Sequence, residues 1–272
     1  MQKDPDTLTF IIERGWYAFA FDFGRYLIAA CAVAAVVWLM SRTSFVSRKI
    51  QKRSATSADI RREIAQSVQA CVVYVIVTVG VVWGRHNGVF QDITFSQGIA
   101  KDLTLLAAFI IVHDAYFYWM HRTLHHPLLF KTFHHAHHRS VTPTPFAAYS
   151  FSIPESFAEA MVIPLWLLIV PTPGWVLFTF LAFQILRNAM GHAGFELMPR
   201  WWLSSPLTRW INSTTHHDLH HSGGFTKNYG LYFTFWDKVM GTEHPKYHET
   251  FARVVAPAPP SRETVVSPSP TL

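Results

Sequence analysis

Three long apolar runs cover residues 26–40, 64–83 and 99–118 of the chain. A helix that crosses a bilayer needs about 20 residues, so the first run is short unless it borrows from the aromatic segment 7–23 before it. Only 15% of the residues are charged, whereas soluble domains carry about 25%. The sequence therefore predicts an all-α integral membrane protein, with segment 7–23 at the headgroup boundary.

Two further apolar stretches, residues 155–170 and 174–190, are separated by Pro171, Pro173 and Gly174. This pattern predicts a helical hairpin that dips into or through the bilayer, and hence a bundle of about four to five membrane spans. The chain is polar from residue 196 onward. We expect three parts: an interfacial segment with two spans (1–98), a histidine-bearing domain (99–250) and a disordered tail rich in Pro and Ser (251–272).

The first two apolar runs are joined by a strongly basic connection. Its seven positive residues are Arg42, Arg48, Lys49, Lys52, Arg53, Arg61 and Arg62. Basic residues next to a membrane span mark the cytoplasmic side. If this connection is cytoplasmic, the third span and the returning hairpin both end on the same face. The sequence thus predicts a cytoplasmic, helical cap that is rich in histidine.

The histidines concentrate in two windows, 121–138 and 216–221, with one more between them. Both windows contain an HxxHH pattern, a repetition for which simple packing has no use. On a helix, residues four apart lie within about 40° of each other, so each triplet can aim its imidazoles at one centre or divide them between two. The candidate metal ligands are His121, His125, His134, His137, His138, His192, His217, His220 and His221.

Three polar residues are candidates for supporting these ligands. Asp114 lies seven residues before His121 and could accept the free N–H of an imidazole. Asp218 could do the same or face water, and Asn188 could be a weak ligand or hold a water molecule. We expect structural roles for the remaining histidines of this region, which are His113, His126, His135 and His216.

Nine imidazoles are too many for one ion, since zinc takes four ligands, but they suit two metals with positions left open. Imidazole binds Fe, Zn, Cu and Ni, and softness alone does not choose among them. A membrane metal-ion transporter or sensor is an alternative interpretation. Transporters need polar residues within their spans, however, and the second apolar run has almost none.

Three motifs, HRTLHH at 121–126, HHAHH at 134–138 and HHDLHH at 216–221, resemble the histidine boxes of the fatty acid hydroxylase and sterol desaturase superfamily. The segments 142–156, 188–196 and 228–242 are also similar to stretches of that family, so the resemblance covers about residues 110–245.

This resemblance implies that the nine histidines bind two irons and that dioxygen is a co-substrate. It also implies that residues 99–250 are the catalytic domain. The reaction would hydroxylate or desaturate a membrane lipid, either sterol-like or fatty-acyl, and a separate redox protein would supply the electrons. The expected location is a bacterial inner membrane or the endoplasmic reticulum, with no nucleic acid as a partner.

Overall fold

The computed structural model of the chain describes residues 7–90 and 95–256. Within these two ranges the chain is helical and contains no β-strand, which confirms the predicted all-α class. The only extended pairings there are two isolated bridges, one between Lys49 and Phe195 and one between Ile211 and Phe233.

Three helices of the described part are long and apolar enough to cross a membrane. They are α1 (Thr7–Ser41), α2 (Ser57–His86) and α3 (Ile99–Leu124). The second and third agree with the predicted runs, and α3 continues without a break to the first histidines. Helix α2 begins with a capping box between Thr56 and Asp59, which satisfies backbone N–H groups at its first turn.

The aromatic segment 7–23 is not a separate interfacial element, because α1 includes it and is 35 residues long. Asp22 and Arg25 lie three residues apart within this helix and form an ion pair. The pairing offsets the cost of placing these two charged groups in a mostly apolar helix. The candidate span therefore extends from Ile12 to Ser41, well beyond the predicted run.

Small side chains allow α1 and α2 to pack closely. Ala30 and Cys71 are fully buried in a core shared with helix α8 (Gly174–Gly191). Small residues at such contacts let helix backbones approach each other within a bilayer. The hydroxyls of Tyr26 and Ser67 donate to the carbonyl of Phe146, at 2.9 and 3.1 Å. These bonds attach both helices to a short 3-10 helix, Pro145–Tyr149.

The predicted hairpin exists, but its first limb is divided. Helix α6 (Ile153–Ala160) is followed at Met161 by α7 (Val162–Leu167). Pro164 has no N–H for the carbonyl of Ala160, and this interrupts the helix. Neither short piece can cross a bilayer, and the 18 residues of α8 reach only about 27 Å. The described residues thus contain three candidate spans, fewer than the four to five predicted.

The remaining elements form a cap at one end of the long helices. They are α4 (Pro127–Phe133), α5 (His135–His138), α9 (Thr214–Ser222), α10 (Phe235–Val239) and α11 (Tyr247–Val255). The basic connection between α1 and α2 packs on this cap: Arg48 donates to the carbonyl of Met198 at 2.8 Å, and the N–H of Ile50 donates to Gly194 at 3.0 Å.

The predicted tail from residue 251 starts too early. Residues 251–255 belong to α11, and Phe251 and Val254 are buried against Met198, with Leu219 of α9 packed beside them. The apolar face of α11 explains this, because it covers α9, the helix that carries three of the candidate metal ligands. Residues 257–272 of the predicted tail lie outside the described residues.

Replacing Phe251 with Ala is expected to lower the free energy of unfolding by about 3 kcal/mol, since it leaves a cavity beneath α11. Thermal unfolding of the purified protein in detergent measures the effect. The control is Glu249→Ala on the exposed side of the same helix, which should change stability by less than about 0.5 kcal/mol. Equal stability of the two variants would contradict the packing of α11.

Candidate metal centre

Four parts of the chain bring the nine predicted histidines together. The C-terminal end of α3 carries His121 and is followed by His125, segment 134–138 carries three more, His192 follows α8, and α9 carries the last three. Their ring nitrogens form two groups, within each of which the atoms lie no more than 4.8 Å apart. The first group is His121, His125, His134, His138 and His220, and the second is His137, His192, His217 and His221.

The first group is built from Nε2 atoms that face each other. His121 and His134 are separated by 2.9 Å between these atoms. The Nε2 atom of His138 lies 3.1 Å from that of His125 and 3.0 Å from that of His220. Five imidazoles from three segments of the chain therefore present the same nitrogen to one small volume.

The second group repeats this arrangement with four imidazoles. The Nε2 atom of His192 lies 3.3 Å from that of His137 and 3.0 Å from that of His217. His217 and His221 are 3.2 Å apart at Nε2. The two groups adjoin, because the rings of His138 and His221 have centroids 4.9 Å apart.

Helix geometry decides how the triplets are divided. His134 and His138, four residues apart, both enter the first group, whereas His137 between them enters the second. In α9 the pair four apart is His217 and His221, and it enters the second group, while His220 enters the first. Residues four apart share a helix face, and the third histidine points to its side. Each triplet thus serves both groups.

Backbone carbonyls hold the opposite nitrogen of several rings. His121 Nδ1 lies 2.9 Å from the carbonyl of Tyr229, and His220 Nδ1 lies 2.7 Å from that of Lys227. In the second group, the Nδ1 atoms of His137 and His192 face the carbonyls of Ser150 and Asn188 at 3.3 and 2.8 Å. A carbonyl only accepts, so these Nδ1 atoms carry the proton and the Nε2 atoms keep a lone pair.

Glu155 orients the ring of His134. It was not among the residues predicted from the sequence. Its Oε1 lies 2.5 Å from Nδ1 of His134, and both side chains are buried. Burial raises the pKa of this carboxyl well above its usual range, and Glu159 one turn away raises it further. The sequence held a signal, since Glu155 and Glu159 are the only acidic residues in the apolar stretch 151–170.

Burial also keeps the imidazoles uncharged. It lowers the pKa of His125 to about 2 and that of His192 to about 4. The pKa values of His217 and His221 are lowered well below their usual range, mainly by burial and further by the neighbouring imidazoles. At neutral pH these rings are therefore in the form that binds a metal.

The arrangement fits metal ions well. Lone pairs at 2.9–3.3 Å repel each other unless a cation lies between them. Two nitrogens bound at right angles to one ion, with bonds of about 2.1 Å, lie about 3.0 Å apart. The observed spacings match this value. Two adjoining groups of five and four nitrogens therefore suit two ions.

The predicted supporting residues act differently from expectation. Asp114 accepts from the backbone N–H groups of Tyr232 and Phe233 at 2.8 and 3.1 Å, and so fixes the segment whose Tyr229 carbonyl holds His121. The predicted contact between Asp114 and an imidazole is absent among the described residues, because the backbone carbonyl takes that position.

Asn188 and Asp218 likewise form protein contacts. The side chain of Asn188 donates to the carbonyl of Ala148 at 2.6 Å, and only its backbone carbonyl reaches a histidine. Asp218 is buried and accepts from Gln51 in the basic connection at 3.1 Å. It therefore attaches that connection to α9 instead of orienting an imidazole or facing water.

The four histidines expected to be structural lie outside both groups. His113 is buried among aromatic rings two turns before His121. His126 caps the N-terminus of α4, and His135 is exposed. His216 is buried 3.4 Å from a carboxylate oxygen of Asp237.

Comparison with known proteins agrees with this geometry. Residues 106–242 match the sequence profile of the fatty acid hydroxylase family. The chain is 33% identical to a lathosterol oxidase of Homo sapiens over 190 residues, which are 67% of this chain and 60% of that protein. It is 29% identical to a Delta(7)-sterol 5(6)-desaturase of Aspergillus fumigatus over 235 residues, which are 85% of this chain and 65% of that protein.

The chain thus spans less than two thirds of the length of these curated relatives. No solved structure matches it. The profile match covers half of the chain and includes all nine histidines of the two groups. The protein belongs to the fatty acid hydroxylase family.

Proposed function

We propose that this protein oxidises a C–H bond of a membrane lipid with dioxygen, at two iron ions held by the nine histidines. The product carries a new hydroxyl group or a new double bond. The observation that carries the proposal is the pair of adjoining groups of Nε2 lone pairs in a member of this family. The names of the relatives favour a sterol as the lipid, and residues 99–250 would form the catalytic domain.

Iron suits the proposed reaction better than zinc. Both ions accept imidazole, but zinc has no redox chemistry. Bound at these two groups, iron would supply the dioxygen activation that an inert lipid C–H bond requires. The relatives are named as oxidising enzymes, and they lend no support to the transporter or sensor alternative.

The electron balance of the proposed reaction requires an electron donor in addition to the lipid. Hydroxylation consumes the C–H bond, dioxygen, two electrons and two protons, and yields the alcohol and one water. Desaturation takes two hydrogens from the lipid and, with the same two electrons and two protons, yields two waters. The lipid alone does not reduce dioxygen completely in either case. A separate redox protein is therefore proposed as the electron donor.

The side chains around the histidines perform two tasks in this reaction. Glu155 and the backbone carbonyls fix the tautomers of five of the imidazoles, so that their Nε2 atoms are available before an ion binds. Aromatic rings cover the groups: Phe117 lies 5.1 Å from the ring of His121, and Phe225 lies 4.3 Å from that of His138. Excluding water in this way protects a reactive oxidant from side reactions.

The centre is proposed to face the cytoplasm. Its cap is bonded to the basic connection through Arg48 and Gln51. Because such basic segments remain on the cytoplasmic side, the cap that they contact should lie there too. A bacterial inner membrane and the endoplasmic reticulum both fit this orientation.

Expression in a host with a defined lipid composition, followed by mass spectrometry of the lipid extract, tests the activity. We expect a lipid that gains one oxygen atom or loses two hydrogen atoms. His134→Ala and His217→Ala, one from each group, should abolish this product and reduce the iron content of the purified protein, with the protein still in the membrane. His135→Ala, an exposed neighbour in the same motif, is the matched control and should retain activity. Full activity in both His134→Ala and His217→Ala would contradict the proposal.

Glu155→Gln keeps an oxygen that accepts from His134 but removes the carboxylate. We expect iron affinity or activity to fall about 10- to 100-fold, as is usual when the partner of a ligating histidine is changed. Glu155→Leu, which removes the acceptor as well, should lose more. Iron titration of the stripped protein separates affinity from turnover. Equal iron affinity in the wild type and both variants would rule out this role for Glu155.

Cysteine labelling in a bacterial host tests the orientation. Ser44→Cys, in the basic connection, should react with a membrane-impermeant maleimide only in inside-out vesicles. Val89→Cys, beyond the other end of α2, should react only in intact spheroplasts. Both positions are exposed, and the native Cys31 and Cys71 lie within helices, so the wild-type chain is the unlabelled control. The reverse pattern would place the centre on the outer face.

A further inference from the structure

A cavity of about 240 Å³ lies between the long helices and the hairpin. Its walls are mostly apolar, with contributions from α1, α2, α3, α6, α7 and α8. The apolar lining includes Val77, Val81, Ile163, Leu177, Phe180 and Leu181. Such a chamber suits the hydrocarbon part of a lipid.

The positions of the lining residues along α8 show which end of the cavity lies nearer the histidines. This helix ends beside the second histidine group, and His192 follows it. Gln184 lies about 12 Å before His192 along the axis, whereas Leu177 lies about 22 Å before it, at 1.5 Å per residue. The end of the cavity at Leu177 is therefore the more distant from the proposed metals.

Two polar side chains of the lining lack protein partners. His113 is only 2% exposed, and its Nδ1 has no hydrogen-bond partner among the described residues. Glu159 is half-buried and lines the same cavity, and its carboxyl makes no hydrogen bond to any residue in the described ranges. A nitrogen that is buried without a partner, as in His113, is costly, so a partner supplied by a ligand is the natural explanation.

Four other polar groups of the cavity bond within the protein. Asp22 pairs with Arg25, which also donates to the carbonyl of Leu181 at 2.8 Å. The hydroxyl of Tyr149 donates to Gln184 at 3.1 Å. Arg85, in the last turn of α2, also lines the cavity and is not without a partner. Because Asp22 neutralises the charge of Arg25, this pair does not favour a phosphate or carboxylate headgroup. The ligand that fits His113 and Glu159 is an uncharged hydroxyl.

Both unpartnered groups lie near the histidines. His113 is eight residues before His121 on α3, or about 12 Å along the helix. Glu159 is one turn after Glu155, which contacts His134. Burial raises the pKa of Glu159 to about 8, so the carboxyl is mainly protonated at pH 7 and can donate as well as accept.

We propose that this cavity binds the substrate through a hydroxyl group of the lipid, which hydrogen-bonds to His113 and Glu159, while the hydrocarbon extends toward Leu177. The inference rests on the proposed function and deepens it. Because the hydroxyl is held at the end near the histidines, the carbon that is oxidised belongs to the hydroxyl-bearing part of the lipid and not to its far tail. His113 and Glu159 are thus binding residues that select for a lipid alcohol.

Binding of two probes to the iron-loaded protein in lipid nanodiscs tests this. The probes are radiolabelled lathosterol and the same sterol with its hydroxyl group replaced by hydrogen. We expect the wild-type protein to bind the alcohol about tenfold more tightly than the hydrocarbon, as the loss of a hydrogen bond to buried groups predicts. Equal affinities in the wild type would overturn the proposal.

Substitutions test whether His113 and Glu159 account for the preference for the alcohol. His113→Phe and Glu159→Leu should each weaken binding of the alcohol about tenfold and leave that of the hydrocarbon unchanged. Glu159→Gln keeps a donor and an acceptor and should bind like the wild type. Leu177→Trp, which fills the apolar end, should weaken both probes equally. Undiminished alcohol binding in both His113→Phe and Glu159→Leu would contradict the assignment.

Two readouts separate this inference from the proposed function. Iron content and thermal unfolding establish that each variant is folded. If a variant does not fold, the comparison of the alcohol and hydrocarbon probes in the wild type still tests whether the cavity selects a hydroxyl group. Turnover is measured in the same preparations after dioxygen and a chemical reductant, which supplies the two electrons, have been added. Selective binding without any oxidised product would leave the cavity assignment intact and refute the proposed function. Turnover without selection for the hydroxyl group would refute the cavity assignment alone.

Discussion

The mutual repulsion of nitrogen lone pairs within the two histidine groups is the constraint on which the cap depends. Where both Nδ1 atoms of a pair are held, as in His121 with His134 and His137 with His192, the Nε2 lone pairs face each other at 2.9 and 3.3 Å, so the surrounding protein must hold the rings in position. The end of α8 supplies part of that support. The carbonyl of Asn188, in the last turn of α8, accepts from the backbone N–H of His192 at 3.3 Å and also lies 2.8 Å from Nδ1 of the His192 ring. One carbonyl thus fixes both the backbone and the ring of a histidine.

The support extends outward in a second layer. Asp114 holds the backbone at Tyr232 and Phe233, and this positions the carbonyl of Tyr229 against His121. In the same layer, Glu196 accepts from the N–H of Thr215 at 2.8 Å, at the start of α9. Asp114 and Glu196 therefore act on the backbone that carries the ligands and their carbonyl partners. A rigid frame of this kind keeps the centre formed independently of any one side-chain contact.

Sequence alone predicted the nine histidines that the structure brings together, but not their division into two groups. Spacing of four residues placed His217 and His221 on one face, and that relation holds in the structure. Which face meets which group depends on how α9 packs against α8 and α11, and no local pattern encodes that. The backbone carbonyls that face the Nδ1 atoms could not be predicted from the sequence either, because every residue has a carbonyl. Likewise, hydropathy identified α2 and α3, whereas the Asp22 and Arg25 pair hid the true length of α1.

Helix α6 links the two proposed sites. Its eight residues are apolar except for Ser156 and two glutamates, and those glutamates lie one turn apart on the same face. Glu155 reaches His134, while Glu159 lines the cavity. The break after Ala160, imposed by Pro164, ends this helix beside the cavity, and α7 continues along the cavity wall. Under the proposed function, one short helix therefore orients a metal ligand and contacts the substrate hydroxyl. This couples the position of the lipid to the geometry of the oxidising centre through a single turn of backbone.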